Sequence, residues 1–188
     1  MFNPRNVIIE HFVAQLSASY LRVFGAQHRE YADLLRWAGM MALEKTSHGD
    51  ALFHDMDHTI MVTSVGQEIL IGKHLREGSV TPLDWLHMVI STLCIDLGYV
   101  RHLCREDREG QYATGVDGMT VQLPPGATGA SLAPWRIDRT CHFIRQYFAH
   151  YPSIDVTRLC TNLRFTQFPV PEADPIYAET YSYPALTR

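Results

Sequence analysis

The chain has 188 residues, 46% apolar and 19% charged, with a formal net charge of -4 at pH 7. That length suffices for one domain with a sizeable core, and the composition is globular rather than fibrous or disordered. The mild negative charge gives no reason to expect nucleic acid or an anionic membrane as partner, but a local arginine cluster could still hold a small anionic ligand.

The cysteines are Cys94, Cys104, Cys141 and Cys160, and no pair has the two-residue spacing of a structural zinc site. No signal peptide precedes the first amphipathic stretch, and no apolar run reaches the roughly 20 residues of a membrane span. Free thiols in a reducing cytoplasm are therefore expected.

Residues 4–24 carry Val7, Ile8, Phe12, Leu16, Tyr20 and Leu21 at helical spacing, with Pro4 suited to a first turn and Gly25 to a stop. A second helix is predicted over 27–44, with Tyr31, Leu34, Leu35, Ala38 and Met41 on one face. Ser47-His48-Gly49-Asp50 breaks it. A third, over about 55–75, is expected to turn Ile60, Val62, Val65, Ile69 and Leu70 inward.

Thr81-Pro82-Leu83-Asp84 is a strong helix start: a capping threonine, a first-turn proline and an acidic third residue. The helix it opens, over about 82–97, is apolar on all sides after Trp85, which predicts a buried central position. Asp96 then falls at its C-terminal end, facing the negative pole of the helix dipole. A carboxylate buried there is costly unless it is paired or bound to a metal.

Glycines and prolines break the helical period over 105–135, which reads as a long loop suited to a lid or binding segment. Helices are expected again over 136–150 and 153–162, followed by an extended, proline-bearing tail over 165–188. The expected fold is all-α, a single domain over 1–188.

Two short stretches carry the chemistry. Phe53-His54-Asp55-Met56-Asp57-His58-Thr59 is followed by Leu93-Cys94-Ile95-Asp96-Leu97-Gly98-Tyr99. Histidines four apart share a helix face, and imidazoles with a carboxylate suit Zn²⁺, Mn²⁺, Fe²⁺ or Mg²⁺. On spacing alone, two polar surface histidines near a helix start explain the pair equally well. Asp57 has a simpler role as a first-turn acid. His102 reads as a surface residue or as a substitute ligand. Arg101, Arg105 and Arg108 form either a solvated charged turn or a phosphate contact. Arg136, Asp138, Arg139 and Arg145 fit internal ion pairs, and His74, His87, His142 and His150 are expected to be structural.

The first stretch resembles the first histidine motif of the HD-domain metal-dependent phosphohydrolases, closest to their cyclic nucleotide phosphodiesterase-like subset. The second resembles that family's His-Asp doublet. The similarity continues through Leu123-Pro124-Pro125-Gly126-Ala127-Thr128 and Phe168-Pro169-Val170-Pro171, and so spans most of the chain. It implies a bundle of helices around a divalent metal (Mn, Fe, Zn, Ni or Mg). It also implies His58 and Asp96 as ligands and His54 as proton donor, with a phosphate ester of a nucleotide or similar small molecule as substrate. Arg101 or Arg105 would steady the phosphate.

Two departures stand out. Ile95 occupies the doublet histidine's position, and isoleucine cannot coordinate a metal. The family's last aspartate ligand comes from a late helix, and the sequence stops after Arg188 where such a helix would start, which reads as a truncation. Impaired hydrolysis is therefore expected, with His102 as the candidate replacement ligand. The alternative is a non-catalytic binding or regulatory module, a pseudoenzyme acting as a homo-oligomer. An exposed apolar groove is expected where a terminal helix is missing, open to a partner or second copy.

Overall fold

The computed structural model describes residues 3–167. Its fold is all-α, built from α1 (Pro4–Phe24), α2 (Arg29–Thr46), α3 (Met56–Glu77), α4 (Pro82–Leu93), α5 (Arg136–Phe148) and α6 (Val156–Arg164). Asn3 caps α1, its side chain accepting from the Arg5 backbone N–H, and Pro4 occupies the first turn. The buried face of α1 is Ile9, Phe12, Val13, Leu16 and Tyr20, whereas Val7 and Ile8, expected inward, are exposed. The inward stripe of that helix is thus rotated by one position at its start.

Helix α1 pairs with α2, and α5 with α6, while α4 packs on α2, α3 and α6. The central position follows from its sequence. Trp85, Leu86, Val89, Ile90 and Leu93 are all essentially inaccessible to solvent. Burying each of these side chains contributes about 1.5–3 kcal/mol. At its start Thr81 and Asp84 form the expected capping box.

Helix α4 stops at Leu93, four residues short of the expected 97. Cys94–Asp96 turn the chain, and a single 3-10 turn follows over Leu97–Tyr99. Close packing explains the break. A Cβ on Gly98 would lie 1.9 Å from the Arg136 carbonyl oxygen, so the chain must leave the helix to meet the start of α5 there. Arg139, wholly buried, then donates to the carbonyls of Gly98 and Val100, both at 2.9 Å. It also pairs with the equally buried Asp107 at 3.0 Å.

The 105–135 region is more ordered than an open loop. It forms an antiparallel hairpin, β1 (Gln111–Ala113) with β2 (Thr120–Gln122), in the register Tyr112↔Val121. A 3-10 stretch over Gly129–Trp135 leads into α5. Tyr112 and Ala113 are buried, and the Asp107 carboxylate accepts from the Ala113 N–H at 2.8 Å. These anchors are tertiary, so the loss of helical period could not reveal them. Helix α6 is capped by Asp155 and begins three residues later than expected. Most of the expected extended tail, 168–188, lies outside the described residues. Among the described residues no helix is long and apolar enough to cross a membrane.

Candidate metal centre

The site is set by a helix cap. Asp55 is the N-cap of α3, accepting the His58 backbone N–H at 2.9 Å, and Thr59 Oγ1 donates to the Asp55 carbonyl at 3.1 Å. His58 therefore sits at the third position of the helix, with Asp57 in the first turn as expected. His54 is not on the helix: it lies in the bend before the cap. A shared helix face does not bring the two histidines together. The bend does, and their ring centroids stand 5.6 Å apart at 85°.

Both rings face Asp96. His54 Nδ1 lies 2.9 Å from Oδ1, and His58 Nδ1 lies 2.5 Å from Oδ2. Asp96 is 2% exposed, so its charge is out of water and both oxygens depend on the imidazoles. Because α4 ends before it, Asp96 leaves the helix axis and reaches back to the start of α3.

His54, His58 and Asp96 each offer one donor atom, all within 4.8 Å of one another, and the three could hold a metal ion. Two imidazole nitrogens and one carboxylate oxygen match the ligand chemistry of borderline divalent ions. Three protein ligands with a position left open is the usual catalytic count. Direct hydrogen bonding satisfies the buried carboxylate as well, so the triad is closed electrostatically in either state.

Aromatic rings wall the site. His54 stacks on Tyr99, with centroids 4.1 Å apart at 12°. Burial pushes the Tyr99 phenol above its ordinary pKa; the Arg136 guanidinium opposes this and the Asp96 carboxylate adds to it. The Phe53 ring lies with its centroid 4.8 Å from that of His58 and is 69% exposed.

The other candidates lie elsewhere. Arg101 pairs with Asp50 Oδ2 at 2.7 Å, and Asp50 Oδ1 accepts from the Gly129 N–H at 2.7 Å. Arg105 donates to the Gln146 carbonyl at 3.1 Å and lies over the Tyr147 ring. Arg108 donates to the carbonyls of Arg105 and Asp107. His102 pairs with Glu109 at 3.2 Å, is exposed, and is not part of the three-residue group. Ile95 is half-buried beside Asp96. His87 is structural: its Nδ1–H donates to the Leu83 carbonyl at 2.8 Å, and its Nε2 accepts the Asp155 N–H at 2.8 Å.

Sequence reasoning missed the support of the site. Asp55, three residues before His58, carried a readable N-cap signal. The positions of Tyr99 and Arg139 depend on long-range packing that no local pattern encodes. Comparison with curated proteins and with solved structures returned no match. The model of the Npun_R2479-like family matches residues 2–188, and the chain belongs to that family.

Proposed function

We propose that this protein binds one divalent metal ion at the group of His54, His58 and Asp96, with His58 and Asp96 as ligands and His54 beside them as proton donor, and hydrolyses a phosphate ester of a nucleotide or similar small molecule, as the HD-domain phosphohydrolases its motifs resemble do. The main support is the convergence of two imidazoles on one buried carboxylate. A bound ion of this class lowers the pKa of a coordinated water and polarises a phosphoryl oxygen.

The protein's own groups have distinct tasks in this scheme. Asp96 supplies a fixed negative charge that burial keeps from water. His58 is held by the Asp55 cap and has the less exposed side chain of the two histidines. His54, more exposed and stacked on Tyr99, turns Nδ1 to Asp96, so its Nε2 is the atom able to pass a proton to a leaving oxygen.

Ile95 favours a second reading. A half-buried aliphatic chain stands where the resemblance calls for a ligand, leaving three donors at the group and supporting ligand binding without turnover. The test is hydrolysis of a panel of nucleotide mono- and diesters by the purified chain with Mn²⁺, Mg²⁺, Zn²⁺, Fe²⁺ or Ni²⁺. Metal-dependent turnover that disappears in His54→Ala supports the hydrolase. Metal uptake with no turnover on any ester supports the binding module.

A further inference from the structure

No helix holds His54, which lies in the bend before the α3 cap. Its ring is therefore placed by side-chain contacts. Its Nδ1 lies 2.9 Å from Asp96 Oδ1, but one hydrogen bond fixes a point of the ring and leaves its plane free to turn. Phe53 and His58 meet the ring edge-on, at 87° and 85°, and Phe53 is itself exposed. Tyr99 lies against its face, with centroids 4.1 Å apart at 12°. A stacked ring restricts the plane that the hydrogen bond leaves free.

One turn of chain supplies both contacts. The Tyr99 N–H donates to the Asp96 carbonyl at 3.1 Å, closing the 3-10 turn over Leu97–Tyr99. Residues three apart eclipse in such a turn, which puts the Asp96 carboxylate and the Tyr99 ring on one side of it. Close backbone approaches pin the turn. The Arg136 carbonyl fills the Cβ position of Gly98, and a Cβ on Gly129 would lie 2.1 Å from the Tyr99 carbonyl oxygen. Asp50 Oδ1 holds the Gly129 N–H at 2.7 Å. Tyr99 is 7% exposed, and its hydroxyl has no hydrogen-bond partner among the described residues. Its ring is therefore what it offers to the site.

We propose that Tyr99 is a positioning residue: its ring fixes the plane of the His54 imidazole and, with Asp96 holding Nδ1, the direction of Nε2. A functional side chain keeps its geometry when packed neighbours lock its rotamer. Here the lock comes from the far side of the fold, through a turn that α5 and the 3-10 stretch at Gly129 hold in place.

The placement of the ring stands on this geometry alone. Its effect on turnover rests on the hydrolase reading above, in which His54 passes a proton to the leaving oxygen. Proton transfer depends on direction as well as distance, and a displacement of about 1 Å can cost roughly 100-fold in rate.

The test is NMR relaxation of the His54 ring in the full chain carrying isotope-labelled histidine, with the His54 signal identified by its loss in His54→Gln. Ring order is compared in the parent, Tyr99→Phe and Tyr99→Leu, and circular dichroism checks each fold. Tyr99→Met serves as the non-aromatic variant should Tyr99→Leu not fold. The expected result is a rigid ring in the parent and in Tyr99→Phe, and a clearly lowered order parameter in the non-aromatic variant. Unchanged ring order in that folded variant would overturn the proposal. So would a loss of order in Tyr99→Phe, which would place the role in the hydroxyl. Turnover gives a second readout: kcat should fall about tenfold or more in Tyr99→Leu with KM nearly unchanged, and Tyr99→Phe should keep it. A parent chain without turnover would sink the hydrolase reading, and ring order would still decide this one.

Discussion

His58 and Asp96 stand 38 residues apart in the chain, yet His58 Nδ1 and Asp96 Oδ2 lie 2.5 Å apart. Two local events produce this contact. Asp55 starts α3 so that His58 occupies its first turn, and α4 ends at Leu93 so that Asp96 swings off the helix. The site is therefore a junction between a helix start and a helix end, and its geometry should respond to changes at either.

The helix start is tested by Asp55→Ala. Losing an N-cap of this kind costs about 0.5–2 kcal/mol. The variant should unfold at lower urea concentration, and its metal affinity should fall with His58 less firmly placed. Unchanged affinity at reduced stability would mean that the cap serves the fold alone.

The stretch that follows α4 is held by Arg139, which is buried with Asp107 and donates to the Gly98 and Val100 carbonyls. Arg139→Met leaves Asp107 charged and unpaired in the interior, and breaking such a pair costs about 3–5 kcal/mol. Equilibrium urea denaturation should show this loss. Arg139→Met with Asp107→Leu should recover part of it, because no unpaired charge then remains.

Much of this architecture is legible in the sequence, and the exceptions share a cause. The caps at Pro4, Thr81 and Gly25 and the apolar run of α4 are local signals and place their helices to within a few residues. The convergence of His54, His58 and Asp96 was readable as motif chemistry. The end of α4 was not, because it is set by the contact of Gly98 with Arg136. The hairpin at 111–122 was hidden because its anchor, Asp107, acts through tertiary hydrogen bonds. Val65 and Ile69, expected to face the core, are exposed on α3, because periodicity shows that an apolar stripe exists but not whether a neighbouring element covers it.

The pH dependence of stability should report His87. Burial lowers its pKa below the ordinary 6.5, with the contact to the Leu83 carbonyl opposing. A group whose folded pKa is depressed contributes stability above its unfolded pKa and loses it as pH falls toward the folded value. The urea midpoint should thus fall as pH drops below about 6.5, and this slope should be reduced in His87→Gln. An unchanged slope would assign the acid sensitivity to other groups.

Ile95 allows a gain-of-function test. Ile95→His places a fourth imidazole or carboxylate donor beside Asp96 and should raise metal affinity about tenfold or more, with each tenfold worth about 1.4 kcal/mol. Titration calorimetry with Mn²⁺ or Zn²⁺ would measure it. No gain would mean that the side chain at 95 is directed away from the three donors.

The most direct measurement is metal content of the purified 188-residue chain by plasma mass spectrometry at neutral pH, beside His58→Ala and Asp96→Asn, with circular dichroism confirming that each is folded. Near-stoichiometric Mn, Fe, Zn or Ni in the parent protein, lost in both folded variants, is the expected result. No bound metal in the parent and no uptake on titration would contradict a metal centre at His54, His58 and Asp96, leaving the triad as a hydrogen-bonded junction between α3 and the end of α4.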